Sequence, residues 1–232
     1  MQAIFGRTVV GRPRAMTPRI LVINPNSNAS VTGAIDQALR SCRLDYDVDI
    51  SCSTLADGPF AIETDEDISV ALPLVVSEIC NNEDSDAFVI ACYADPGLNE
   101  SRAVSKKPVF GIHESAVSLS ATYGRRFGVL ALSRDSIQRH IAYVRQLGYQ
   151  AFHAGERPLD VNVGEPANDL EVLQKIIDIG RQLIDEDGAE TLILGCAGLA
   201  AYRQAAQLEL GVPLIDPVQA AITMAAESLH GH

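Results

Sequence analysis

Asp86-Ala87-Phe88-Val89-Ile90-Ala91-Cys92 and Ala189-Glu190-Thr191-Leu192-Ile193-Leu194-Gly195-Cys196 say nearly the same thing twice: an apolar run of strand length closed by a cysteine. The flanks repeat as well. Downstream, Pro108-Val109-Phe110-Gly111-Ile112 and Pro213-Leu214-Ile215-Asp216 follow the two cysteines at nearly equal distance. Upstream, Arg19-Ile20-Leu21-Val22-Ile23-Asn24 and Arg126-Phe127-Gly128-Val129-Leu130-Ala131 precede them in the same way. Three landmarks recurring in order define a unit of roughly 100 residues, too long for a solenoid repeat and the size of a small lobe.

Within each unit, short apolar runs alternate with longer amphipathic segments, the signature of a parallel α/β sheet. The first unit predicts strands near 20–23, 48–52, 87–91 and 109–112, with helices over 30–40 and 65–81 and a short helix from Gly97. The second predicts strands near 127–131, 150–153, 191–194 and 214–216, with helices over 136–147, 169–186 and 198–210, the last closed by Gly211 as C-cap. In such sheets ligands bind beyond the carboxyl ends of the strands, where loops lead into helix N-termini. Cys92, Cys196, Asn24 and Ser133 all fall there. If the two units face each other, their loops line one cleft.

The chain has 232 residues, is 47% hydrophobic, and can bury a substantial core. No apolar run approaches the roughly 20 residues of a membrane span, and no secretory signal is evident, so a cytoplasmic protein with no membrane partner is expected. A formal net charge of −12 argues against nucleic acid as a partner. The five cysteines have unrelated spacings and fit reduced thiols. Residues 1–18, which hold Arg7, Arg12 and Arg14 among glycines and prolines, read as a flexible N-terminal extension, with Met16 as an alternative start.

Cysteine is among the most buried residue types, and Cys42, Cys52 and Cys80 read as inert packing residues. Cys92 and Cys196 differ because each ends a strand just before a helix start, where the helix N-terminus is expected to lower a thiol pKa towards neutrality. Two facing thiols suit proton transfer at a carbon centre: one thiolate removes a proton from one face and the other thiol protonates the opposite face. A cysteine-protease arrangement needs a histidine beside the thiolate, and the sequence marks none. His113 reads as structural. Donors for the developing oxyanion are expected from Asn24, Asn26 and Ser27, and from the backbone around Tyr93, Ala94, Ala197 and Gly198. The three lysines are not placed for a Schiff base, and no metal-ligand or phosphate-loop spacing occurs, so no cofactor is expected.

These residues resemble the aspartate/glutamate/hydantoin racemase superfamily, and most of all its hydantoin and allantoin racemase branch. Val22-Ile23-Asn24-Pro25-Asn26-Ser27, Gly58-Pro59 with Ile62-Glu63, Ala91-Cys92 with Asp95-Pro96-Gly97-Leu98, Pro108 to Glu114, and Leu194-Gly195-Cys196-Ala197-Gly198-Leu199 carry the likeness. It implies two lobes related by a pseudo-twofold axis, each a four-stranded parallel sheet flanked by helices, and a C-terminal helix that returns to the first lobe. Lobe 1 would comprise 19–113 plus 217–232, and lobe 2 residues 114–216. It also implies Cys92 and Cys196 as the proton-transfer pair, a 5-substituted hydantoin or allantoin as small-molecule substrate, and a homo-oligomer. Tyr93-Ala94 departs from the Phe-Gly usual in that branch, and His113 from a small or apolar residue. Amino-acid racemases of the superfamily carry Asn-Thr after the first cysteine and Thr after the second, unlike Tyr93-Ala94 and Ala197. Arylmalonate decarboxylases keep only the second thiol. Maleate-isomerase-like or amino-acid racemase activity, or non-catalytic small-molecule binding, are the alternatives.

Overall fold

In the computed structural model, which describes residues 17–123, 126–161 and 169–230, the repeat read in the sequence is a repeat of topology. Strands β1 (Arg19–Asn24), β2 (Asp49–Thr54), β3 (Ala87–Ile90) and β4 (Val109–Gly111) form one parallel sheet in the order β2-β1-β3-β4. Strands β5 (Phe127–Ala131), β6 (His153–Pro158), β7 (Thr191–Gly195) and β8 (Leu214–Ile215) form a second in the equivalent order β6-β5-β7-β8. The central strands are continuous apolar runs because helices cover both faces of each sheet. Every residue of β3, β5 and β7 is buried.

The helices follow their local signals. Helix α1 (Ala29–Ala38) starts where the Asn28 side chain accepts the Ser30 N–H, and α2 (Arg40–Asp45) continues after it. Helix α3 (Asp65–Asn81) begins at a capping box in which Thr64 and Asp67 satisfy each other's backbone N–H groups. Helix α4 (Leu98–Val104) follows the left-handed Gly97, and α5 (Ile112–Thr122) follows β4 directly. A 3-10 turn (Arg134–Ser136) leads into α6 (Ile137–Gln146), and α7 (Asp169–Asp185) precedes β7. A second 3-10 segment (Ala197–Tyr202) precedes α8 (Arg203–Leu210), which ends on the left-handed Gly211 as its C-cap. Helix α9 (Pro217–His230) returns to pack on α5, β3 and β4, so the chain closes on its first sheet.

The largest core is shared between the sheets: Ile20, Val22 and Val89 of the first meet Val129 and Ile193 of the second, with Val218, Ala221 and Ile222 of α9 among them. Smaller cores lie under α3 and α4 on the first sheet and under α7 and α8 on the second. Helix α5 spans the expected division at 113/114 and touches strands of both sheets.

Two expectations are corrected, and one helix is added. The strand expected at 150–153 begins only at His153, because Tyr149 to Phe152 are taken up in turns after the left-handed Gly148. The helix expected over 198–210 is divided into the 3-10 segment and α8. Helix α5 was not anticipated, since its cap is not local: the buried Asp95 carboxylate accepts the N–H groups of His113 (3.0 Å) and Glu114 (2.9 Å). Residues 1–16 of the expected extension lie outside the described residues. Among the described residues, no helix is long and apolar enough to cross a membrane.

Candidate active site

The carboxyl ends of the two sheets meet at a cleft, and the cysteine after each β3-type strand lines it. Cys92 is the second residue after β3 and Cys196 the first after β7, with Tyr93, Ala94, Gly195 and Ala197 beside them in the wall. Asn26 and Asn28 close it from the loop after β1, Ser133 and Ser136 from the loop after β5, and Phe60 to Glu63 form its lip. Of the residues singled out from sequence, the fold therefore brings Asn26, Cys92, Tyr93, Ala94, Ser133, Cys196 and Ala197 to one place.

Asn24, Ser27 and Gly198 are not in that wall. Asn24 is 1% exposed and spends its amide on the loop itself, donating to Asn26 Oδ1 (2.9 Å), the Asn28 carbonyl (3.3 Å) and Thr32 Oγ1 (2.9 Å). Its role is to shape the Asn-Pro-Asn-Ser-Asn turn, not to present donors to the cleft. The Ser27 N–H donates to the Pro59 carbonyl at 2.9 Å and so ties that turn to the lip. Gly198 acts behind the thiol: its N–H approaches Cys196 Sγ at 3.4 Å.

The thiols do not have the lowered pKa expected of them. Burial pushes Cys92 up to about 12 and Cys196 up to about 11. One backbone N–H at each sulfur, from Ala94 and from Gly198, pulls down by less than desolvation pushes up. Charge on Cys196 raises Cys92 further, while Arg139 lowers it. Burial thus holds both groups as thiols, and charge on one bears on the other.

Two basic residues of the wall were not singled out from sequence. Arg139 and His140 enter from α6. Arg139 crosses from the second sheet's side to the first, where Nη1 meets Asp65 Oδ1 at 2.8 Å and Nη2 donates to the Glu63 carbonyl at 3.2 Å. A signal was available: from Ser133, residues 136, 139 and 140 recur at the helical spacing that shares one face. His113 is structural as expected. It is 1% exposed, its ring stacks on Tyr93 at 4.0 Å, and its Nδ1 donates to the Tyr93 carbonyl at 2.9 Å. Burial holds its pKa well below the ordinary value, so it stays neutral. No group of three or more His, Cys, Asp or Glu side chains forms a metal-binding cluster among the described residues.

Paired sheets with one cysteine at the mouth of each suit an isomerase of the racemase type, and comparison with known proteins shows that class. The family model described as Asp/Glu/Hydantoin racemase matches residues 20–225. The chain is 38% identical to the hydantoin racemase of Rhizobium meliloti over 220 residues, covering 91% of this chain and 88% of that protein. It is 36% identical to the hydantoin racemase of Pseudomonas sp. (strain NS671), covering 89% and 84%. The solved allantoin racemase from Klebsiella pneumoniae matches with a TM-score of 0.83 at 30% identity, covering 92% of this chain and 88% of that one. The chain belongs to the Asp/Glu/Hydantoin racemase family.

Proposed function

We propose that this racemase acts on a 5-substituted hydantoin or on allantoin, without a cofactor, using Cys92 and Cys196 as the two proton-transfer groups. The observation that carries the reading is positional: equivalent strands of two equivalent sheets deliver one thiol each to a single cleft. One thiolate takes the proton from the carbon next to a carbonyl, the electron pair moves onto that carbonyl oxygen, and the opposite thiol returns a proton to the other face. N–H and O–H groups of the wall, such as the Ser133 hydroxyl and the Ala197 N–H, are the donors at hand for the oxyanion.

The substrate class is supported by the names of the relatives and by the charge of the cleft. Among the described residues lining it, Arg139 is the one Lys or Arg side chain, and it is already bound to Asp65 and Glu63. A neutral ring therefore fits better than a doubly anionic amino acid. The test offers enantiopure 5-substituted hydantoins, allantoin, aspartate, glutamate and maleate in turn, followed by optical rotation and solvent deuterium uptake. Racemisation of a ring substrate with the highest kcat/KM is expected; free aspartate as the best substrate would overturn the substrate assignment.

A further inference from the structure

One stretch of the cleft wall differs in chemistry from the rest. The lip residues Phe60, Ala61 and Ile62 carry no polar side-chain atom, and Val31 and Leu132 add apolar surface to the same cleft. Phe60 is 66% exposed, and among the described residues it is the one exposed phenylalanine, the others being buried or partly buried. A large apolar side chain left in water at the mouth of a binding cleft is surface that a ligand can cover.

The lip is held at both ends. On one side, the Pro59 carbonyl accepts the Ser27 N–H at 2.9 Å, and Gly58 packs so closely on the loop after β1 that a Cβ there would lie 2.5 Å from the Pro25 carbonyl oxygen. On the other, the Glu63 carbonyl accepts from Arg139 Nη2 at 3.2 Å, and the Glu63 N–H donates to Asp67 Oδ2 at 3.1 Å in the first turn of α3. Phe60 to Ile62 therefore stand between one anchor on the loop after β1 and another that includes α6 of the second unit. A surface fixed before binding loses little on ordering, so chemistry decides what it covers. An apolar group gains by leaving water there, whereas a polar group loses hydrogen bonds to water that these side chains cannot replace. The Pro59 and Glu63 carbonyls are already engaged.

Resting on the ring-substrate reading above, we propose that Phe60 is a specificity-determining residue and that the ring substituent it covers is apolar, an arylmethyl or branched alkyl group and not the ureido arm of allantoin. The reacting carbon has to lie between Cys92 and Cys196, and the substituent is borne by that same carbon, so it leaves the pair toward one part of the wall. The carbonyl and N–H groups of the ring seek the polar part, which includes Asn26, Ser133 and the Ala197 N–H. The apolar lip is what remains for the substituent. A ureido arm there would bring N–H groups and a carbonyl against Phe60 and Ile62 with no side-chain partner. Phe60 has no group that moves a proton, so it acts on binding.

The experiment measures kcat and KM by polarimetry for enantiopure 5-methylhydantoin, 5-isobutylhydantoin, 5-benzylhydantoin and allantoin, in the unaltered protein, Phe60→Ala and Phe60→Leu. The unaltered protein is expected to prefer 5-benzylhydantoin to allantoin in kcat/KM by about tenfold or more, the lower end of what one apolar group decides in a pocket. Phe60→Ala should lower the ratio of kcat/KM for the benzyl substrate to that for the methyl substrate by about tenfold, through KM and not kcat, as when binding common to ground state and transition state is removed. Phe60→Leu should restore most of that ratio, and the isobutyl substrate should follow the benzyl one. Allantoin as the best ring substrate, or a benzyl-to-methyl ratio unchanged in Phe60→Ala, would overturn the proposal and leave the ring-substrate reading standing. Failure to racemise any of the four rings would overturn both.

Discussion

Replacing Gly195 by Ala places one methyl group where the structure has no room for it, one residue before Cys196. A Cβ built there lies 2.7 Å from the Leu130 carbonyl oxygen and 3.1 Å from the Ala131 Cα, both backbone atoms of the neighbouring strand β5. The nearer contact is well inside the 3.4 Å at which ordinary van der Waals contact begins. No flexible side chain can yield, so β7 must part from β5 at its carboxyl end and carry Cys196 with it. Overpacking of this kind costs about 1–3 kcal/mol, which for a chain of this size is a Tm lowered by roughly 2–12 °C. The kinetic cost is larger, since misplacing a reacting group by about 1 Å can cost about 100-fold. Gly33 in α1 is the control: a Cβ there meets nothing within 4 Å, so Gly33→Ala should raise stability by about 0.5–1 kcal/mol and leave activity alone. Thermal melts and kcat/KM for racemisation check both. Unchanged Tm and unchanged kcat/KM in Gly195→Ala would refute the argument that strand spacing sets the thiol's position.

Burial raises Asp95 to about 7 and Asp216 to about 6. The folded protein therefore holds these protons at pH values where the unfolded chain has released them, and stability should fall as pH rises from about 4 to 7. Denaturant titrations along that range should show the slope, and Asp95→Asn should flatten it. The Asp95→Ala change should also cost about 2–4 kcal/mol, because it leaves the His113 and Glu114 N–H groups at the start of α5 without their acceptor. By contrast, Asp65→Asn should cost under about 1 kcal/mol in a urea melt, since its side chain is 88% exposed and its pair with Arg139 is solvent-screened. Exhaustive dialysis against a chelator should leave racemisation unchanged, whereas thiol alkylation should abolish it; activity restored by an added metal would contradict the cofactor-free reading.

How far the sequence could be read depended on whether the signal was local. β1, β3, β5 and β7 are apolar runs buried on both faces, and α3 has its cap written beside it as Thr64 and Asp67, so its bounds at Asp65 and Asn81 were legible. β6 was not, because His-Ala-Gly-Glu-Arg-Pro is a partly exposed edge strand that buries a carboxylate instead of an apolar side chain. α5 was missed because its cap, Asp95, is distant in the chain. The same division holds for the site. Cys92 and Cys196 stand out through the internal repeat, but Arg139 and His140 reach the cleft only through the approach of α6 to the first sheet. Asn24 looked like a cleft donor because a polar loop after a strand commonly is one; only the fold shows its amide turned inward on Thr32 and Asn28.

Two thiols acting on opposite faces of one carbon are tested most directly by solvent deuterium uptake into each pure enantiomer, measured separately for Cys92→Ser and Cys196→Ser. Each variant should lose racemisation by about 100-fold or more. Each should still exchange the substrate proton of one enantiomer, and the enantiomer should differ between the two. Near-normal racemisation by either variant, or exchange of the same enantiomer by both, would contradict the account.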